Sequence, residues 1–121
     1  MKKIVIIDDE ANISDVLDRY LQRKGQLEID SYTNAKLALP KVLAGTYDLV
    51  LLDIMMPEVN GMDLLKEIKK NNPNQKVIMM TAYSTEKTII NSDLIGAEDY
   101  ITKPFISLRD VENKIYDIIG I

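Results

Sequence analysis

Three stretches of the chain are apolar at every position: Ile4-Val5-Ile6-Ile7, Leu49-Val50-Leu51-Leu52 and Val77-Ile78-Met79-Met80. Short unbroken runs of this kind predict strands buried on both faces, as in the middle of a parallel sheet. Leu27-Glu28-Ile29-Asp30 alternates instead, which predicts an edge strand with one face in water, and Ala97 to Ile101 predicts a weaker strand at the other edge. Between these runs the period becomes helical. Ile13, Val16, Leu17, Tyr20 and Leu21 fit one apolar stripe, and Ala35, Ala38, Leu39, Val42 and Leu43 fit a second. Leu64, Leu65 and Ile68 mark a third helix. Leu108, Val111, Ile115 and Ile118 mark the last, with Ser107 placed to cap it. Residues 84–95 are predicted to form the fourth of the five helices. At about 100° per residue, Ile89, Ile90, Leu94 and Ile95 cannot share one buried stripe. Ile90 or Leu94 is therefore expected at the surface, either as a contact face or as an ordinary isolated apolar residue.

Pro40 falls inside the second stripe, where it removes a hydrogen bond to Lys36 and is expected to kink or break the helix. Asn72-Pro73-Asn74 and Gly45 are the clearest breakers. Strands alternating with helices predict an α/β fold, a doubly wound parallel sheet of five strands with helices on both faces. No linker or repeat interrupts the pattern, so residues 1–121 are expected to form a single domain.

Composition narrows the chemistry. The chain has 121 residues, 46% hydrophobic and 28% charged, enough to build a core. It holds no cysteine and no histidine, which excludes disulfides, thiolate sites, histidine-dependent triads and the usual zinc centres. A net charge of −4 argues against direct nucleic-acid binding through this domain. The apolar runs are too short for membrane insertion, and the one after Lys2-Lys3 ends at Asp8, so it is no signal peptide; a cytoplasmic location is expected.

Polar residues follow the buried runs at once: Asp8 and Asp9 after the first, Asp53 after the second, Thr81 after the third, Thr102 and Lys103 after the last. In a parallel sheet these positions share one edge, where open α/β sheets bind ligands. Two carboxylates ~5 Å apart repel by roughly 3 kcal/mol at an effective dielectric of 20, so three of them call for a cation. Hard oxygen donors without nitrogen or sulfur select magnesium, or manganese. A metal, an ammonium and a hydroxyl around a carboxylate are the equipment for phosphoryl transfer to an aspartate. Each residue alone has a plainer reading. An aspartate after a strand serves turns, Thr81 can cap a helix, Lys103 can be solvated, and Tyr100 can be half-buried packing. Their joint occurrence at one edge favours the site.

These segments resemble the receiver domain of bacterial response regulators over nearly the full length. The likeness is carried by Ile6-Ile7-Asp8-Asp9-Glu10, Leu51-Leu52-Asp53-Ile54-Met55-Met56-Pro57, Asn60-Gly61, Met80-Thr81-Ala82, Gly96-Ala97 and Asp99-Tyr100-Ile101-Thr102-Lys103-Pro104-Phe105. The resemblance implies a flavodoxin-like (βα)5 sheet in the order 2-1-3-4-5. It implies Asp53 as phosphoacceptor and a magnesium ion held by Asp9, Asp53 and the Met55 carbonyl, with Asp8 acting through water. It further implies Lys103 on the phosphoryl oxygens, a cis bond before Pro104, and Thr81 and Tyr100 as switch residues. Their movement would alter the face of helix four, strand five and helix five. The phosphodonor would be a sensor histidine kinase, a histidine phosphotransfer protein or a small phosphodonor. The altered face would bind a downstream protein or a second copy. In the family, the positions of Met55 and Tyr83 flank the attacking water. Neither is an acid or amide here and both are bulky, so the phosphorylated state is expected to outlast the fast end of the family.

On this reading the chain is a binding switch that assists only its own phosphorylation and dephosphorylation. It could be a diffusible regulator, a phosphorelay intermediate or the receiver part of a longer DNA-binding regulator. An aspartate-nucleophile phosphatase of the haloacid dehalogenase type would want Asp-x-Asp after the first strand, where this chain has adjacent acids. Flavin binding would need a phosphate-cradling loop there, and Asp8-Asp9-Glu10 would repel the phosphate.

Overall fold

The structure, a computed structural model, describes residues 1–82 and 96–121. The predicted fourth helix, with Tyr83, Ile89, Ile90, Leu94 and Ile95, lies outside the described residues. Five strands, β1 (Lys2–Ile7), β2 (Leu27–Tyr32), β3 (Leu49–Asp53), β4 (Val77–Thr81) and β5 (Asp99–Thr102), form one parallel sheet. Its order is β2-β1-β3-β4-β5. The helices α1 (Ala11–Gln22), α2 (Ala35–Leu43) and α3 (Gly61–Asn71) and a C-terminal helix (Leu108–Ile119) cover its faces. No helix among the described residues is long and apolar enough to cross a membrane.

Alternate residues of the three central strands supply two cores, the period-two geometry of a pleated chain. Val5, Ile7, Val50, Leu52, Val77 and Met79 face α2 and α3, where Ala38, Val42, Leu65 and Ile68 meet them. Ile4, Ile6, Leu49, Leu51, Ile78 and Met80 face the other way, against Leu17 and Leu21 of α1 and Val111 and Ile115 of the C-terminal helix. That double burial is why these strands read as continuous apolar runs.

Three sequence expectations shift. Val16, assigned to the first stripe, is 49% exposed, whereas Ser14 is buried beside Leu17 and Leu21. The face is offset because α1 turns a small hydroxyl residue to the core at its first turn. The last strand starts at Asp99, two residues later than predicted. Glu98 stands before it as an anchor, its N–H on the Val77 carbonyl and its carboxylate on the Val77 N–H. α2 is not ended by Pro40 but runs on to Leu43. The Asn34 side chain accepts from the N–H groups of Lys36 and Leu37, while buried Ala35, Ala38 and Val42 hold the helix to the sheet. Lys36 and Pro40 are both exposed, so the orphaned carbonyl can turn to water.

The amino ends of the strands are cross-braced. The Lys69 ammonium binds the Gln75 carbonyl and sits 2.6 Å from Glu98. The Lys76 ammonium donates to the Ile118 carbonyl at 2.7 Å, Gln75 Nε2 to the Tyr47 carbonyl at 3.1 Å, and the Lys3 N–H to Asp48 at 2.8 Å. The Tyr47 hydroxyl donates to Asp30 at 2.6 Å.

Candidate functional site

The register of the sheet assembles the opposite edge. Ile7 pairs with Leu52, so Asp8 and Asp53 leave adjacent strands at one level; Asp53 in turn pairs with Met80, and Thr81 with Thr102. Asp53 and Thr81 form the last rungs of their own strands. Asp8, Asp53, Thr81 and Lys103 are all buried, Asp8 completely. The Lys103 ammonium lies 2.9 Å from Asp8 Oδ2 and 3.3 Å from Asp53 Oδ1. Its main-chain N–H donates to the Thr81 carbonyl at 2.7 Å, and the bond that follows, to Pro104, is cis.

The loop after β3 is held close. The Ile54 N–H donates to the Met80 carbonyl at 2.9 Å, and the Gly61 N–H donates to the Ile54 carbonyl at 2.7 Å. A Cβ on Gly61 would stand 2.1 Å from the Asp53 carbonyl oxygen, so only glycine lets α3 start against this backbone. Sequence reasoning named Gly61 as part of the Asn60-Gly61 segment and missed this approach; the only signal was its place after Asn60, whose side chain caps α3. Met55 is 65% exposed at the rim.

Glu10 is a second residue left unassigned. It occupies the N-cap of α1 without capping it, and Oε1 sits 3.9 Å from the Lys103 ammonium. Three successive acids were its signal. Asp8, Asp9 and Glu10 each offer an oxygen within 4.8 Å of the others. Besides burial, the Asp53 carboxyl is pushed up by both Asp8 and Asp9, which face the same edge. This all-oxygen, anionic donor set fits a hard divalent cation such as Mg2+. A cleft of about 220 Å3, lined by Asp9, Thr33, Asn34, Met56, Pro57 and Val59, lies beside this acidic group.

Electrostatics follow from crowding. Burial first, then the charge of Asp8, raise the Asp53 carboxyl to about 7 against the pull of Lys103. Burial pulls Lys103 down, but the hydrogen bond and charge of Asp8, with those of Asp53, leave it above its ordinary value. Tyr100, on β5, is half-buried against the α2–α3 core.

A family model described as the response regulator receiver domain matches residues 4–116. The response regulator SaeR of Staphylococcus aureus is 36% identical over 119 residues, 98% of this chain but 51% of SaeR. The chain thus spans about half the length of the curated relatives it matches. A CheY-like receiver domain protein from Methanospirillum hungatei superposes with a TM-score of 0.89 at 31% identity, covering 98% of this chain and 94% of that one. The response regulator TrrA of Thermotoga maritima, solved in complex with Mg(2+)-BeF, gives 0.85 at 36% identity, covering 98% and 99%.

Proposed function

The chain belongs to the response regulator receiver family, whose members accept phosphoryl groups, and from that premise we propose that Asp53 is its phosphoacceptor. The observation that carries this is the Lys103 ammonium between Asp8 and Asp53, at 2.9 and 3.3 Å, at the carboxyl ends of two adjacent central strands. An Asp53 oxygen attacks phosphorus in line, forming the P–O bond of an acyl phosphate. The P–N bond of a ring-protonated phosphohistidine breaks and releases neutral imidazole, or the P–O bond of a small acyl phosphate breaks and releases a carboxylate, so no proton is drawn from Asp53. Lys103 passes from the carboxylates to the equatorial oxygens, and the buried Thr81 hydroxyl donates to one of them. Asp8, Asp9, Asp53 and the Met55 carbonyl would hold Mg2+, which supplies positive charge against the transferring oxygens. Glu10 lies close enough to join the charge balance.

Attack requires Asp53 ionised. With its carboxyl raised to about 7, a neighbouring cation and Lys103 favour the reactive form. As Thr81 moves toward the phosphoryl group, Tyr100 rotates inward and the face around β5 and the C-terminal helix changes. A histidine kinase or histidine phosphotransfer protein is the donor, and a protein target or a second copy is the reader. Incubation with acetyl phosphate and Mg2+ should add one phosphoryl group to the wild type, read by intact mass, and none to Asp53→Asn. Equal uptake by the two would overturn the assignment.

A further inference from the structure

Tyr100 sits on the edge strand, and both its main-chain groups are met by side chains. Its N–H donates to Asp99 Oδ1 at 2.7 Å, and its carbonyl accepts from the Lys114 ammonium at 3.0 Å. The same ammonium is 3.6 Å from Asp99 Oδ1 and 5.3 Å from the centre of the Tyr100 ring. Lys114 comes from the C-terminal helix, which covers the sheet face opposite to the core that Tyr100 leans on. One side chain thus passes around the open edge of the sheet and grips Tyr100 at backbone and ring together.

Resting on the Tyr100 rotation proposed above, we propose that Lys114 is a positioning residue that holds Tyr100 in its resting place and so sets how readily the domain activates. The contact with the carbonyl belongs to the strand and survives a side-chain rotation. The contact with the ring does not, because an inward turn takes the π face away from the ammonium. The resting form therefore gains an interaction that the activated form lacks, and only such a difference shifts a two-state equilibrium. A lysine that merely covered an exposed strand edge would stabilise both forms alike.

The test titrates the full chain with beryllofluoride and Mg2+, following saturation in every variant by the NMR amide signals of the loop after Asp53 and, where Tyr100 is present, its own signals. Lys114→Met should lower the half-saturating beryllofluoride concentration about fivefold. It should also move the ligand-free Tyr100 signals toward their activated positions. Lys114→Arg should keep both near wild type. In a Tyr100→Leu background Lys114→Met should change nothing further. Half-saturation within twofold of wild type, or an equal shift in both backgrounds, would overturn the role of Lys114 while leaving the switch intact. Wild-type Tyr100 signals that ignore saturating beryllofluoride would instead overturn the switch reading, and the latch with it.

Discussion

The position of Asp53 depends on the absence of one carbon. An added Cβ on Gly61 would meet the Asp53 carbonyl oxygen at 2.1 Å and the Ile54 Cα at 2.7 Å, where ordinary contact begins at 3.4 Å. Both neighbours are backbone, so Gly61→Ala must part α3 from β3 by about 1 Å and strain the 2.7 Å bond from the Gly61 N–H to Ile54. Overpacking typically costs 1–3 kcal/mol, and a clash with backbone belongs at the upper end, about 3 kcal/mol. Alanine's better helix propensity offsets about 1 kcal/mol. The net loss of about 2 kcal/mol should lower Tm by roughly 8 °C in a domain of this size, measured by far-ultraviolet circular dichroism without metal. Phosphorylation by acetyl phosphate should also slow, because the displaced backbone carries Asp53. Gly45→Ala is the control. Its φ of +78° also strains an alanine, but no atom lies within 4 Å, so stability should fall while phosphorylation keeps its rate. A Gly61→Ala protein that melts within about 2 °C of wild type and is phosphorylated normally would refute this argument.

The other predictions concern charge and helix chemistry. Because folding raises the Asp53 carboxyl to about 7 from about 4 in the unfolded chain, its stabilising contribution is full below about pH 4 and is lost as pH rises through 7. Urea unfolding of the metal-free protein should show Asp53→Asn gaining on wild type by a few kcal/mol between pH 5 and 8, and parallel profiles would count against the crowding described. Mg2+ at a hundred times its Kd should stabilise the wild type by about 2.7 kcal/mol, an effect largely lost in Asp9→Asn. Pro40→Ala restores the bond to Lys36 and should raise Tm by several degrees, corresponding to about 1 kcal/mol or more; an unchanged Tm would show that the exposed carbonyl is fully solvated. Glu112 is 1% exposed and sits 3.1 Å from both Arg23 and Lys24. Replacing both cations by Met should cost about 3 kcal/mol in urea unfolding, and adding Glu112→Met should recover most of it.

The sheet was legible because its central strands are buried on both sides and need apolar residues at every position. The acidic edge was legible for a related reason: a polar residue straight after such a run can only stand at the strand's end. Residues whose environment comes from distant segments could not be read this way. Glu112 follows the apolar Val111 on a helix and looks solvated, yet cations 89 and 88 positions earlier allow its burial. Lys103 was placed at that same edge by the same rule, but nothing local told that its ammonium would lie between two carboxylates; family likeness had set it on the phosphoryl oxygens. Ser14 and Val16 exchanged places because a stripe of period 3.6 tolerates a neighbour of either kind at its margin. Pro40 misled because the caution about proline assumes that a helix stands alone, and α2 is held by its cap and its buried face.

The braces among Lys3, Tyr47, Asp48, Lys69, Gln75, Lys76 and Glu98 all lie at the end of the sheet away from the acids. They make that end a clamped foot. On the switch proposed above, a disturbance at Asp53 would meet little slack there, leaving the loops at the carboxyl ends of the strands to take it up. The anchorage that looks remote from the chemistry would then be what leaves a small change at one carboxylate to be spent on the surface beside it.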